Sequence, residues 1–293
     1  MKTLKVAVSG ANGFLNSRLI HSYRSSYDMI PLNRKEVNIT NAPEVSRVIR
    51  QIQPDLIIHG AAMTATAACE REPDLAYEVN VTSSVNLAKA AKEVNAELVF
   101  FSSEQVFNGN PEDGPYSEKG KAVPNTVYGK TKLEAEELLT KEIEDLWILR
   151  FSWLFGLPER NMPLGVNLFQ NVLGAAVSGI PIKMPVNEFR GITYVYDIID
   201  HFRELLELPF GTYHVGSENQ QSTYETAIFI LERLGLKKER ISGIILPDDD
   251  KYREHKRDLR LSCDKIKEAG IPVTTSQNGI ERALREFGYL KKR

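Results

Sequence analysis

Short apolar runs alternate with longer helical patterns through the first half of the chain, and this alternation constrains the fold more than any other feature. It is typical of βαβ units and a parallel sheet. The runs are almost continuously apolar, as in strands that are covered by helices on both faces. We predict strands at residues 5–9, 29–33, 56–59, 98–102 and 147–151. The patterns between them predict helices at residues 14–23, 43–52, 74–94 and 127–141.

Composition excludes several classes of protein. With 42% hydrophobic and 26% charged residues, the chain has the composition of a globular protein. The formal net charge of -2 gives no field that would attract nucleic acid or an anionic membrane. The first residues lead at once into a glycine turn, and no apolar run approaches a membrane span, so we expect no signal peptide and no membrane partner. Cys69 and Cys263 lie far apart, which argues against a disulfide framework or a metal site and favours a cytoplasmic location.

A glycine turn follows the first predicted strand directly. Gly10 and Gly13 would let the backbone turn tightly and approach a pyrophosphate at the N-terminus of the next helix. A plain strand-to-helix turn is the alternative. The usual pattern has a third glycine, which permits close packing of helix against strand, and Asn16 stands in its place. Two readings of Asn16 stay open: a hydrogen bond to phosphate, or weaker cofactor binding.

The pattern as a whole predicts an α/β fold, a Rossmann-type doubly wound parallel sheet with a smaller, partly interleaved C-terminal substrate lobe. We expect residues 1–154 to form the nucleotide-binding domain with the catalytic residues. Residues 155–293 would form mainly the substrate-binding lobe, with some segments returning to the first domain. Helices are expected there at residues 167–178 and 279–287.

The segment after the second predicted strand bears on the choice of cofactor. An arginine at this place in the fold favours the 2′-phosphate of NADP(H), whereas an acidic residue favours NAD(H). Arg34, followed by Lys35, therefore predicts NADP(H) as the preferred cofactor, with NAD(H) as the alternative. Asn38 and Ile39 would then lie near the adenine. A solvated basic turn is the other interpretation.

Tyr128 and Lys132 are spaced so that both project from one face of a predicted helix. Reduction of a carbonyl needs a hydride at carbon and a proton at oxygen. A phenol can supply that proton, and a neighbouring ammonium lowers the phenol pKa. Ser103, at the end of a predicted strand, could polarise the carbonyl. A pair on a helix surface is the alternative interpretation.

Several segments together resemble the extended short-chain dehydrogenase/reductases, and within them the dTDP-4-dehydrorhamnose reductases. The matching segments are residues 10–13, 38–41, 54–64, 72–80, 102–109, 127–136, 150–156 and 211–215. The resemblance implies NADPH-dependent reduction of the 4-keto group of a dTDP-6-deoxyhexulose. It assigns the catalytic roles to Ser103, Tyr128 and Lys132.

The turn, the ribose segment and this resemblance together give the predicted binding residues. Predicted cofactor residues are Gly10, Asn12, Gly13, Phe14, Leu15, Arg34, Asn38, Ile39, Ala61, Ala62, Thr64, Ser102, Tyr128 and Lys132. Predicted substrate residues are Ser103, Gln105 and Trp153, where Trp153 would face the sugar unless it is only a core aromatic. No metal site is predicted. His59 and His214 are expected to be satisfied core or edge histidines.

Departures from the family pattern concern the sugar pocket. Glu104 and Gln105 replace a usual Asp-Tyr pair, residues 187–193 replace an Asp-Gln-x-Gly-x-Pro-Thr stretch, and residues 255–257 replace an Arg-Pro pattern. A nucleotide-sugar is the expected substrate, but a changed pocket can hold a different sugar. The alternative is a non-catalytic, NADP-binding regulatory protein, because the chain also resembles the regulatory subunit of methionine adenosyltransferase. Epimerase or dehydratase chemistry is a third reading. A homodimer is one expected assembly, since dimers are common among enzymes.

Overall fold

The computed structural model describes residues 3–290. The chain forms two compact units, each made of several segments. The first unit consists of Met1–Asn110, Lys121–Arg150 and Leu206–Tyr213. The second consists of Pro111–Gly120, Phe151–Leu205 and His214–Arg293.

Strands and helices alternate in the first half of the chain. The strands are β1 (Lys5–Ser9), β2 (Asp28–Leu32), β3 (Leu56–His59), β4 (Glu97–Ser103), β5 (Leu146–Phe151), β6 (Trp153–Phe155), β7 (Ile182–Pro185), β8 (Glu188–Phe189), β9 (Ile192–Tyr194), β10 (Gly211–Val215), β11 (Ile245–Asp248) and β12 (Arg257–Asp258). The helices are α1 (Phe14–Tyr23), α2 (Ala42–Ile52), α3 (Thr66–Arg71), α4 (Pro73–Tyr77), α5 (Ser83–Val94), α6 (Val127–Glu142), α7 (Leu168–Ser178), α8 (Val195–Ile199), α9 (Phe202–Leu206), α10 (Thr223–Arg233), α11 (Lys238–Ile244), α12 (Asp264–Glu268) and α13 (Ser276–Glu286).

A six-stranded sheet in the order β10-β5-β4-β3-β1-β2 lies at the centre of this architecture. Strand β1 pairs in parallel with β2 on one side and β3 on the other, so that Val6 faces both Met29 and Leu56. Strand β3 pairs in parallel with β4. From β1 the chain continues to β2 on one side of it and then crosses to β3 on the other side, so the strand order reverses at β1. Open α/β sheets bind ligands at such a switch point, outside the carboxyl ends of the strands. The predicted Rossmann-type parallel sheet is confirmed.

One face of the sheet in the first unit is covered by α2, α5 and α6. Ile57 and Leu98, which are fully buried, belong to a core cluster with Ile49 of α2, Leu87 of α5 and Leu139 of α6. Burial of such side chains stabilises the fold by about 1.5–3 kcal/mol each. Helix α2 begins where it was expected, since the Asn41 side chain accepts a hydrogen bond from the Glu44 amide.

The helix that we predicted at residues 74–94 spans the right residues, but it is interrupted by a turn of different geometry. The chain forms α4, then a π-helical turn at Glu78–Thr82, then α5. A π-turn carries one extra residue within a helix, so it rotates the side chains on either side of it relative to each other. Hydrophobic periodicity over so short a stretch does not reveal such an insertion.

The second unit contains small parallel strand pairs, β6 with β9, β7 with β11, and β8 with β12. Helix α10 begins with a capping box formed by Ser222 and Glu225. Helix α13 starts earlier than predicted, because the Thr275 hydroxyl accepts from the Asn278 amide and caps the helix there. Among the described helices, none is both long and apolar enough to cross a membrane.

Candidate active site

The turn after β1 has the backbone geometry that its glycines require. Gly10 has φ +68°, in the left-handed region, and a Cβ there would lie 2.7 Å from the Ala61 amide nitrogen. The Gly13 amide donates to the Gly10 carbonyl at 2.8 Å, and Gly13 is the N-cap of α1. No side chain caps this helix end. The first amides of α1, and the positive end of its dipole, are therefore open to an anion.

An open cleft of about 1180 Å³ lies at the switch point within the first unit. It brings together many of the predicted cofactor residues, namely Gly10, Asn12, Gly13, Arg34, Asn38, Ile39, Ala61 and Ala62. Other predicted cofactor residues are not part of the described lining, namely Phe14, Leu15, Thr64, Ser102, Tyr128 and Lys132. The cleft extends from the glycine turn past the end of β2, which is the path that an extended dinucleotide would need.

The end of this cleft that follows β2 is lined by both basic and acidic side chains. Arg34 and Lys35 are exposed there. The Glu36 carboxylate accepts hydrogen bonds from the backbone and the side-chain amide of Asn33, both at 3.2 Å. The Asn12 side chain donates to the Asn33 side chain at 3.1 Å and so links the glycine turn to the end of β2. Sequence reasoning identified Arg34 and Lys35 but missed Asn33 and Glu36.

Tyr128 and Lys132 lie on one face of α6 and are both buried. The Thr126 hydroxyl accepts from the Gly129 amide and fixes the start of the helix. A Cβ on Gly129 would lie 2.4 Å from the Gln105 carbonyl oxygen, so this glycine lets the helix pack closely on the turn at Glu104–Phe107. That packing brings Tyr128 next to Ser103, close enough for the serine side chain to affect the pKa of the phenol.

Burial changes the proton affinity of both groups. Loss of solvent raises the pKa of Tyr128 to about 12, although the neighbouring Ser103 side chain opposes the shift. Burial lowers the pKa of Lys132 to about 7, and the Glu136 carboxylate opposes that shift. The Lys132 ammonium lies 4.0 Å from the centre of the Phe100 ring. At neutral pH the site therefore holds a protonated phenol beside a lysine that can be charged or neutral.

Glu136 continues the face of α6 that carries Tyr128 and Lys132, one further turn along the helix. Its carboxylate forms an ion pair with the Arg150 guanidinium at 2.6 Å and accepts a hydrogen bond from the Ser102 hydroxyl. Both carboxylate and guanidinium are almost fully buried. Ser102, which we predicted to bind cofactor, thus has its hydroxyl turned to α6. The spacing of four residues from Lys132 was the signal that could have revealed Glu136.

Asn80, in the π-turn, connects the segment after β3 to α6. Its side chain accepts from the Met63 amide at 2.7 Å and donates to the Met63 carbonyl at 3.1 Å. It also donates to the Thr131 hydroxyl at 3.0 Å. Asn80 is the last residue of segment 72–80, which matches the family pattern, but nothing in the sequence predicted that its side chain would join Met63 to α6.

His59 is buried, and both of its ring nitrogens are bonded, to the Ser9 hydroxyl at 2.6 Å and the Ser84 hydroxyl at 2.8 Å. Burial, reinforced by the Lys132 charge, lowers the pKa of His59 to about 3. His59 is therefore neutral and satisfied, as expected for a core histidine. His214 is also fully buried, with a ring nitrogen 3.1 Å from the Tyr116 carbonyl.

The second unit contains the remaining predicted substrate residue. Trp153 lies in β6, and the Arg190 guanidinium stacks 4.4 Å from the centre of its ring. Two basic residues at the start of β12 pair with carboxylates: Arg257 with Glu188 at 2.5 Å and Lys256 with Asp113 at 2.9 Å. Within residues 3–290, no three His, Cys, Asp or Glu side chains are grouped to hold a metal ion.

Comparison with known proteins decides the family. The sequence matches the RmlD substrate binding domain family over residues 4–289. The chain belongs to this family. Its fold is that of the extended short-chain dehydrogenase/reductases, as the resemblance implied.

Relatives of this RmlD-family chain carry different names. The spore coat polysaccharide biosynthesis protein SpsK of Bacillus subtilis is 32% identical, over 96% of this chain and 97% of that protein. The methionine adenosyltransferase 2 subunit beta of Pongo abelii is 29% identical, over 97% of this chain and 88% of that protein. The structure of dTDP-4-dehydrorhamnose reductase from Bacillus anthracis in complex with NADP is 28% identical, with a TM-score of 0.86, over 97% of this chain and 100% of that one. These comparisons confirm the predicted class, an NAD(P)H-dependent oxidoreductase of the short-chain dehydrogenase/reductase type. The predicted preference for NADP(H) agrees with the cofactor in the Bacillus anthracis protein.

Proposed function

We propose that this chain is an NADPH-dependent reductase that reduces the 4-keto group of a nucleotide-linked deoxy sugar. One observation carries the proposal. The Tyr128 phenol is buried beside Ser103 and holds its proton at neutral pH, since burial raises its pKa, and it shares a helix face with Lys132. This is the arrangement that delivers a proton to a carbonyl oxygen. The names of the relatives, a reductase of a dTDP-linked keto sugar and a polysaccharide biosynthesis protein, support the class of substrate.

The residues of the cleft fit NADP(H). The left-handed Gly10 and the uncapped start of α1 suit a diphosphate. Arg34 would read the 2′-phosphate, because a guanidinium matches phosphate oxygens bidentately. Glu36, in the same segment, would repel that phosphate, so NAD(H) remains the alternative. Asn38 and Ile39 line the end of the cleft where the adenine would lie.

The chemistry divides between the cofactor and three side chains. When bound, NADPH supplies a hydride to the carbonyl carbon. Tyr128 releases its phenolic proton to the carbonyl oxygen, which becomes the hydroxyl of the product. Ser103 donates a hydrogen bond to the same oxygen and so favours the developing negative charge. Lys132 in its ammonium form stabilises the phenolate that remains on Tyr128.

Substrate recognition is assigned to Gln105 and Trp153. Gln105 is buried in the turn directly after Ser103, where it would contact the sugar. Trp153 would offer an aromatic face on which the apolar face of the sugar can pack while the sugar hydroxyls stay hydrated. The sequence departures at Glu104 and Gln105 predict that the preferred sugar differs from that of the reductase whose structure is similar.

A direct test follows turnover of dTDP-4-dehydrorhamnose and related keto sugars by the loss of NADPH absorbance. We expect Tyr128→Phe to lower kcat by about a hundredfold or more, because general acid catalysis contributes about 10²–10⁴. Tyr77→Phe is the matched control, since the Tyr77 hydroxyl is exposed and bonds only Glu134 among the described residues. Full turnover by Tyr128→Phe would refute the mechanism.

The second candidate is a non-catalytic, NADP-binding regulatory subunit on the same scaffold. The methionine adenosyltransferase subunit, which is similar over 97% of this chain, favours it. This candidate predicts micromolar NADPH binding without turnover of any keto sugar. The complete set of Ser103, Tyr128 and Lys132 favours the reductase, because a binding protein does not need a proton donor. A homodimer and a cytoplasmic location remain predictions.

A further inference from the structure

Asn16 stands where the glycine turn usually has its third glycine, and its side chain does not lie in the cleft. It is only 3% exposed. The side-chain amide donates to the Ser9 carbonyl at 2.8 Å and lies 3.4 Å from the Gly10 carbonyl. Its oxygen, Oδ1, is buried without a hydrogen-bond partner among the described residues. Asn16 is thus held by its donor end, and it joins α1 to the end of β1.

Gly60 occupies the complementary position, directly after β3. Its amide donates to the same Ser9 carbonyl at 3.3 Å. A Cβ on Gly60 would lie 2.4 Å from the Asn16 amide nitrogen and 2.9 Å from the Phe101 ring. Real Cβ atoms do not approach other heavy atoms so closely. A side chain at position 60 and the amide of Asn16 therefore compete for one space.

This shared space lies directly under the turn. Gly10 packs so tightly against Ala61 that a Cβ on Gly10 would lie 2.7 Å from the Ala61 amide nitrogen. Gly10, Gly60 and Ala61 all line the cleft. The distance between the β1 turn and the end of β3 therefore determines the shape of the cleft surface that a diphosphate would contact.

We infer that Asn16 is a positioning residue for the turn. Close packing here requires a glycine at position 60, next to the Asn16 side chain, instead of a glycine at position 16. The asparagine amide ties α1 to β1 where a glycine would allow direct packing, and Gly60 makes room for it. Asn16 thus supports cofactor binding, and removing it weakens the turn. The inference rests on the proposed binding of NADP(H), but not on the identity of the sugar.

The experiment measures NADPH affinity calorimetrically for the wild type and for Asn16→Gly, Gly60→Ala and the double variant. We expect Asn16→Gly to weaken binding about five- to tenfold, the equivalent of one lost hydrogen bond. Gly60→Ala should weaken it more strongly. In the double variant the added methyl meets no asparagine, so the loss should be smaller than the product of the single losses. Gly174→Ala is the control, since nothing lies within 4 Å of its added methyl.

A second ligand separates positioning from general stability. Adenosine 2′-monophosphate lacks the diphosphate, so its binding should be the same in the wild type and in Asn16→Gly. Equal or tighter NADPH binding by Asn16→Gly would overturn the inference. The inference would also be overturned if Gly60→Ala weakened NADPH binding by the same factor in the wild type and in Asn16→Gly. If Gly60→Ala does not fold, the binding of NADPH and of adenosine 2′-monophosphate by Asn16→Gly still tests the inference. A wild type that fails to bind NADPH contradicts the proposed function itself and overturns the inference with it.

Discussion

Lys132 is a buried cation that lies one helical turn from the carboxylate of Glu136. Burial lowers its pKa to about 7 from the usual 10.5, against the opposing effect of Glu136. The charge of this lysine is therefore sensitive to pH near neutrality. In the proposed reduction, the charged form would stabilise the Tyr128 phenolate.

The lowered pKa of Lys132 predicts a pH dependence of stability. Between pH 7 and pH 10.5 the unfolded chain holds the lysine proton and the folded protein does not. The unfolded state then binds more protons, so the free energy of unfolding rises with pH across this window. We expect Lys132→Met to lose this part of the rise, as measured by urea unfolding at pH 6.5 and 9.5. Lys130→Met, on the exposed face of α6, should keep it. An unchanged rise in Lys132→Met would show that the lysine is not titrating there.

At single positions the sequence predicts local placement better than packing. The chemical roles of Ser103, Tyr128 and Lys132 stay predictions, but the shared helix face of Tyr128 and Lys132 could be predicted from their spacing of four residues. The fit between Asn16 and Gly60 could not, because it joins residues that are distant in the chain. Asn16 was visible as a departure from the glycine pattern, but the direction of its amide depends on the space left by Gly60 and Phe101.

At the scale of elements, the five strands β1–β5 were predicted within a residue or so because continuous apolar runs mark strands that are covered on both faces. The region between β3 and β4 was predicted less well. Its π-turn at Glu78–Thr82 places Asn80 between Met63 and Thr131. Such a turn is stabilised by these distant partners and not by local preference, so periodicity predicts an unbroken helix instead.

Asn80→Ala tests the role of this turn. It would leave the partly buried Met63 amide without its acceptor, so we expect the free energy of unfolding to fall by about 1–3 kcal/mol. NADPH binding should also weaken, because the segment after β3 lines the cleft. Asn278→Ala, on the exposed side of α13, is the control and should change stability by less than about 0.5 kcal/mol. Wild-type stability in Asn80→Ala would contradict the account.

For the whole molecule, the choice of cofactor depends on charge at the far end of the cleft. We expect Arg34→Ala to weaken NADPH binding about tenfold or more and to leave NADH binding almost unchanged, because a charge-assisted hydrogen bond contributes about 1.5–3 kcal/mol. Arg47→Ala, an exposed arginine in α2, controls for loss of positive charge. Equal loss for both cofactors would mean that Arg34 does not read the 2′-phosphate.

The central claim is that this chain transfers a hydride from NADPH to a keto sugar. Incubation with NADPH deuterated at C4 of the nicotinamide, together with dTDP-4-dehydrorhamnose and related 4-keto sugar nucleotides, tests it most directly. Mass spectrometry and NMR of the products should show one deuterium at C4 of a reduced sugar, and Tyr128→Phe should abolish its formation. NADPH binding with no deuterium in any sugar would contradict the claim and favour a regulatory, non-catalytic protein.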